Sequence, residues 1–87
     1  MIEEDIFEFP CDFPLKIMGE RSDDFAQLML EIVLRHAPDF DAASVEMRPS
    51  AKGTYLGLTC TIRAVSREQL DALYRELTAH PLAKYVL

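Results

Sequence analysis

Tyr55-Leu56-Gly57-Leu58-Thr59-Cys60-Thr61-Ile62-Arg63-Ala64 is the longest strict alternation in the chain. Leu56, Leu58, Cys60, Ile62 and Ala64 fall on one side, and Tyr55, Gly57, Thr59, Thr61 and Arg63 on the other. This period of two is the signature of a strand with one buried face. Just upstream, Lys52-Gly53 marks a turn. Before that turn Val45 and Met47 alternate with Glu46 and Arg48 until Pro49, which has no amide to give to a ladder and so suits an edge strand.

Further out, Phe13, Leu15 and Ile17 alternate with Pro14, Lys16 and Met18 up to Gly19, a first strand. Between that strand and the edge strand lies a stripe of helical spacing, Phe25, Leu28, Met29, Ile32, Val33 and His36, ended by Pro38. Ser22 is the expected N-cap, with Asp23 and Asp24 in a first turn where the helix dipole favours negative charge. Residues 38–43 read as a loop. After the long strand, Ser66 with Gln69 three residues on forms a capping box. A second helix follows, with Leu70, Leu73, Tyr74 and Leu77 toward the core, until His80-Pro81 breaks it. Residues 82–87 close the chain as a short strand.

The order strand, helix, strand, strand, helix, strand is the split βαβ arrangement of a ferredoxin-like sandwich: an α+β, two-layer βαββαβ fold with two helices on one face of a four-stranded antiparallel sheet. The chain has 87 residues, 49% of them hydrophobic. That is one domain over residues 10–87, preceded by an acidic arm at 1–9 that frays at its end. No apolar run approaches the ~20 residues of a membrane span. The acidic beginning Met1-Ile2-Glu3-Glu4-Asp5 does not resemble a secretory leader. A cytoplasmic protein is expected, with Cys11 and Cys60 as free thiols acting as small hydrophobes.

Both helices cover one sheet face, so the other is open. The alternation assigns to it Lys16, Met18, Glu46, Arg48, Tyr55, Thr59, Thr61 and Arg63, with Lys84 and Val86 from the last strand. Four of the nine basic residues and one of the fifteen acids lie in that set, which predicts a basic face on a chain of net charge −6. In the segment Arg48 to Tyr55, the structural reading is a hairpin with Gly53 at positive φ and Lys52 solvated. The functional reading makes Arg48, Lys52 and Tyr55 the rim of an anion site beside Lys16 and Arg63.

Recognisable chemistry is sparse. A phosphate-hydrolysing site of this fold needs an Asn to position water, and the chain has no Asn. Cys11 stands alone where a metal carrier needs a pair. An RNA-binding sheet needs outward aromatics where Thr54 and Leu56 sit, and the acidic balance disfavours a nucleic-acid backbone. His36, Asp39 and Asp41 lack ligand spacing, so His36 reads as a helix C-terminal cation, and His80 likewise. Ser50 and Ser66 have no His near in sequence to activate them. No catalytic residue, metal or cofactor is expected.

The runs Phe9-Pro10-Cys11-Asp12-Phe13-Pro14, Lys16-Ile17-Met18-Gly19, Arg35-His36-Ala37-Pro38, Arg48-Pro49-Ser50-Ala51-Lys52-Gly53-Thr54-Tyr55 and Val86-Leu87 resemble the YbeD-like family of small bacterial proteins of unknown function. That resemblance covers residues 7 to 87 in order. It implies a fold similar to ACT domains, regulatory βαββαβ modules that bind amino acids at strand-to-helix loops and dimer interfaces. It also implies a gene neighbourhood shared with lipoate attachment. On the ACT analogy the candidate ligand loop is Gly19, Glu20, Arg21 and Ser22, although this stretch differs from the Asp-Arg-Pro-Gly type of turn typical there.

Two functions are therefore expected. The first is a non-enzymatic interaction or regulatory module that presents its open basic face, through Lys16, Arg48, Lys52, Tyr55, Arg63 and Lys84, or a sheet edge, to a protein partner or a second copy. The alternative is an ACT-like sensor of a small anionic ligand such as an amino acid or carboxylate, linked to lipoate metabolism. Neither nucleic acid nor membrane is an expected partner.

Overall fold

The computed structural model describes residues 8–87; most of the expected acidic arm lies outside them. Strand β1 (Cys11–Glu20) leads into helix α1 (Phe25–His36). Strands β2 (Glu46–Pro49) and β3 (Tyr55–Ala64) form a hairpin, and helix α2 (Arg67–Ala79) returns the chain to strand β4 (Ala83–Val86). The four strands lie in the order β2-β3-β1-β4, with each neighbouring pair antiparallel. This is the expected ferredoxin-like sandwich.

The core forms where the inward residues of the central strands meet the helix stripes. Leu15, Ile17, Leu58, Cys60 and Ile62 from the sheet pack with Phe25, Met29, Ile32 and Val33 of α1 and Leu70, Leu73 and Leu77 of α2, all buried. Each such side chain contributes about 1.5–3 kcal/mol relative to exposure. Burial also pushes the Cys60 thiol up to about 11, so it is no nucleophile at neutral pH.

The hairpin tip follows its sequence. Gly53 takes φ 76°, and its amide donates to the Ser50 carbonyl at 2.9 Å. Ser50 Oγ also accepts the Tyr55 amide at 3.1 Å.

Several local expectations are corrected. Ser22 does not cap α1: the helix begins at Phe25, its N-cap residue is Asp24 without a side-chain cap bond, and its first turn holds no acid. The Ser22 carbonyl instead accepts the Phe25 amide at 3.4 Å, in a turn ahead of the helix. Residues Ala42–Ser44 form a short 3-10 turn, capped by Asp41 Oδ1 accepting the Ala43 amide at 3.0 Å. At α2 the Ser66 cap is present, with its oxygen accepting the Gln69 amide at 3.0 Å. The Gln69 side chain does not close the expected capping box, in which it would accept the Ser66 amide. Its Oε1 accepts the Val65 amide at 2.7 Å and its Nε2 donates to the His36 carbonyl at 2.8 Å, joining the start of α2 to the end of α1.

Candidate functional site

The helices cover one side of the sheet, and no described element covers the other. The register turns that open face into cross-strand rows. One row runs Glu46, Thr59, Lys16, and the next runs Arg48, Gly57, Met18, Tyr85. The Leu87 carbonyl and amide exchange hydrogen bonds with Lys16 at 3.0 and 2.7 Å, which extends the first row to Leu87. Residues facing each other in an antiparallel pair point to the same side.

These two rows line a groove of about 920 Å³ across all four strands. Gly57 makes the hollow in its floor, where a β-carbon would meet Met18 Cε at 3.5 Å, the Arg48 carbonyl at 3.6 Å and Met18 Sδ at 4.0 Å, all ordinary contacts. Tyr85 and Leu87 stand on the face with 53% and 65% of their surface exposed, among the most exposed large apolar residues described. Lys16 and Arg48 supply cations at the groove and Glu46 a carboxylate. The groove can take an extended apolar surface carrying charges of both signs.

The predicted basic face is not what the register builds. β1 runs from Cys11 to Glu20, longer than the alternation suggested, so Asp12 lies opposite Arg63 and Glu20 opposite Tyr55 on the open side. With Glu46, three carboxylates thus accompany Lys16, Arg48 and Arg63. The last strand differs too. A register shift between Met18 and Gly19 puts Tyr85 on the open face, opposite Met18, and Val86 opposite Ile17 on the core side. The stretch Lys84-Tyr85-Val86-Leu87 has large apolar residues at both parities, so alternation alone does not orient it.

Nor do the predicted site residues gather. Lys16 and Arg48 meet at the groove, whereas Arg63 lies four residues beyond Thr59 on β3, about 14 Å away at the rise of an extended strand. Tyr55 pairs with Glu20 at the other end. Lys52 is exposed at the hairpin tip. Lys84 Nζ lies 3.8 Å from Glu20 Oε2.

The candidate ligand loop is closed at its base. Gly19 is buried, and a β-carbon there would fall 2.3 Å from the Leu82 carbonyl and 2.4 Å from Phe25 Cε1. Glu20, Arg21 and Ser22 are exposed, and the Arg21 amide ties the loop to the hairpin through the Thr54 carbonyl at 2.9 Å.

A second polar cluster sits between the helices. His36 Nε2 and Glu76 Oε1 are 2.7 Å apart, and Arg35 pairs with the other carboxylate oxygen. The hydrogen bond from His36, with the Arg35 guanidinium beside it, holds the Glu76 carboxyl below its usual range. His36, expected as a cation at the end of its helix, thus has a partner on α2. His80 caps α2, and its Nδ1 accepts the Leu82 amide at 3.1 Å. No cluster of three or more metal-ligating side chains occurs among the described residues.

Glu76 acts on the packing of α1 against α2, and its effect on stability is pH-dependent. A carboxyl with a depressed folded-state value stabilises the fold above its unfolded value of about 4.3. That contribution disappears as pH falls through the folded value. Wild type is therefore expected to melt above Glu76→Gln at neutral pH and level with it in strong acid. Thermal melts of both proteins across that range check this, and a gap unchanged by acid would remove the ionised carboxylate as its cause.

The comparisons with known proteins follow the fold. Residues 4–87 match the family described as Protein of unknown function (DUF493). A UPF0250 protein of Bordetella pertussis is 59% identical, over 98% of this chain and 93% of its own. A UPF0250 protein of Nitrosomonas europaea is 53% identical over the whole of both. Among solved structures, a protein from H. pylori known by its solution structure superposes with a TM-score of 0.74 at 10% identity, covering 93% of this chain and 85% of that one. The ACT domain from GTP pyrophosphokinase of Chlorobium tepidum gives 0.59 at 18%, covering 88% and 97%. At such identities these two show the fold alone. The chain belongs to the DUF493 family, whose UPF0250 members it matches along nearly its whole length.

Proposed function

We propose that this protein is a non-catalytic interaction module that docks another polypeptide on the open face of its sheet. The observation that carries the reading is the groove across that face. Its hollow lies at Gly57, the exposed Tyr85 and Leu87 stand along it, and Lys16, Arg48 and Glu46 fix charge positions. Large apolar side chains grouped within a polar frame mark a contact surface more often than a solvated one.

The reaction chemistry open to this site supports the same reading. The charged groups of the groove are exposed, and the deeply buried thiol of Cys60 faces the helices. A regulatory role would use the face as its contact. Fold alone assigns no function, and the likeness to an ACT domain supplies none here.

A photoreactive side chain placed at Thr59, in the groove, is expected to give a discrete cross-linked polypeptide product in cells. The same group at Glu31, on the exposed side of α1, is expected to give none. Cross-linking confined to the Glu31 position, or equal at both, overturns the proposal.

A further inference from the structure

We infer that the polypeptide docked on the open face is a second copy of this chain, placed face to face about a twofold axis that runs parallel to the strands between β3 and β1. The inference rests on the docking reading above and names its partner. In the order β2-β3-β1-β4 that axis is the midline of the sheet. It lays β1 of one copy over β3 of the other and β2 over β4, and it keeps each cross-strand row over itself.

The register then dictates what meets what. Met18 lies opposite Gly57 in its row, with its thioether against Gly57 of its own chain, so the Met18 side chains of the two copies would meet over the glycines, where their flexible thioethers can adapt to each other. Arg48 comes over Tyr85, within reach of a cation–π contact. Asp12 and Arg63 face each other within one copy. Stacking that row on its twofold image makes a ring of four alternating charges. Lys16 comes over Thr59, whose neighbour in the row is Glu46, and so gains a carboxylate within its reach.

No row sets a carboxylate squarely over a carboxylate or a cation over a cation. That is the self-complementarity an isologous interface requires, and the equal numbers of acids and bases along the paired rows make it possible. A uniformly basic face would repel its own image.

Size allows a modest pair. Two ten-residue strands with a four-residue strand on either side span about 460 Å² in plan at ~3.4 Å per residue and ~4.8 Å between strands. Side chains raise the accessible surface above the plan, which places the pair below the ~800 Å² per partner of a standard interface and makes it concentration-dependent. Two sheets packed this way would sit about 10 Å apart, and an axis along the strands keeps their mean strand directions aligned, within the ~30° found for packed sheets.

Charge reversal in separate copies tests the arrangement. Asp12→Arg gives a chain with two cations in that row, and Arg63→Asp gives one with two carboxylates. Each is expected to sediment as a monomer at concentrations where the wild-type chain is a dimer. An equimolar mixture is expected to form a heterodimer, roughly tenfold or more tighter than either homodimer, because both contacts between the copies are then between opposite charges, while the like-charged pair within each copy is present in the separate chains as well. Recovery in the mixture also shows that both variants are folded.

A wild-type chain that sediments as a monomer throughout, or a mixture no tighter than its components, overturns the second-copy inference. A monomeric wild type that still cross-links from Thr59 to a different polypeptide leaves the docking reading standing while the second copy falls. A monomer with no product from Thr59 removes both.

Discussion

Replacing Gly19 by alanine is expected to cost about 3 kcal/mol or more, at the upper end of what overpacking does in a close-packed interior. A β-carbon at Gly19 would sit 2.3 Å from the Leu82 carbonyl oxygen and under 3 Å from two atoms of the Phe25 ring. One obstacle is backbone. The other is an aromatic ring that is itself wholly buried, so neither can give way cheaply. Gly19 has no positive φ, so the cause is the close approach and not backbone conformation.

In a domain of this size each kcal/mol moves the melting temperature by about 4–8 °C, so a fall of roughly 15 °C or more is expected. Gly57→Ala is the control, because its β-carbon meets nothing nearer than 3.5 Å. It is expected to melt within a few degrees of wild type. Thermal melts of the two variants side by side decide the matter, and similar small shifts in both would contradict the packing account.

Gly19 also shows where sequence reading stops. Alternation gives the parity of β3 correctly, because its inward residues are all apolar and its partner strand matches it over ten pairs. It gives both helix stripes for the same reason. The start of α1 escapes the pattern because Ser22, Asp23 and Asp24 are all plausible caps in a row. A cap stabilises by about 1 kcal/mol, whereas burying a phenylalanine ring is worth about 1.5–3 kcal/mol. Docking Phe25 on Gly19 therefore fixes where the helix begins.

The open face is half legible. Lys16, Met18, Arg48 and Thr59 follow from alternation. Asp12 and Glu20 do not, since strand ends depend on how much partner strand is available, and β3 is long enough to pair with both. These two acids change the face from basic to balanced, and with it the kind of partner it suits. Gly57 offers no signal of its own, because its contribution to the groove is the side chain it lacks. Tyr85 depends on a register shift in the ladder that hydrophobic pattern does not encode.

Phe25→Ala is expected to cost about 3–5 kcal/mol, the usual range for removing a buried aromatic ring. Phe25 is fully buried and packs on Gly19 at the junction of β1, α1 and the segment leading into β4. That is a large share of the roughly 5–15 kcal/mol that holds a typical domain together. The informative experiment is the cycle with Gly19→Ala. Removing the ring clears one of the two obstacles to the new methyl group and leaves a cavity that the methyl partly fills. The double variant is therefore expected to be clearly more stable than the sum of the single losses predicts, with a coupling of about 1–3 kcal/mol, as found for residues in direct contact. Rescue stays incomplete because the Leu82 carbonyl still opposes the β-carbon. Denaturant unfolding of the four proteins measures the coupling. Strict additivity would mean that the ring and the glycine do not support each other, and the start of α1 would then need another cause.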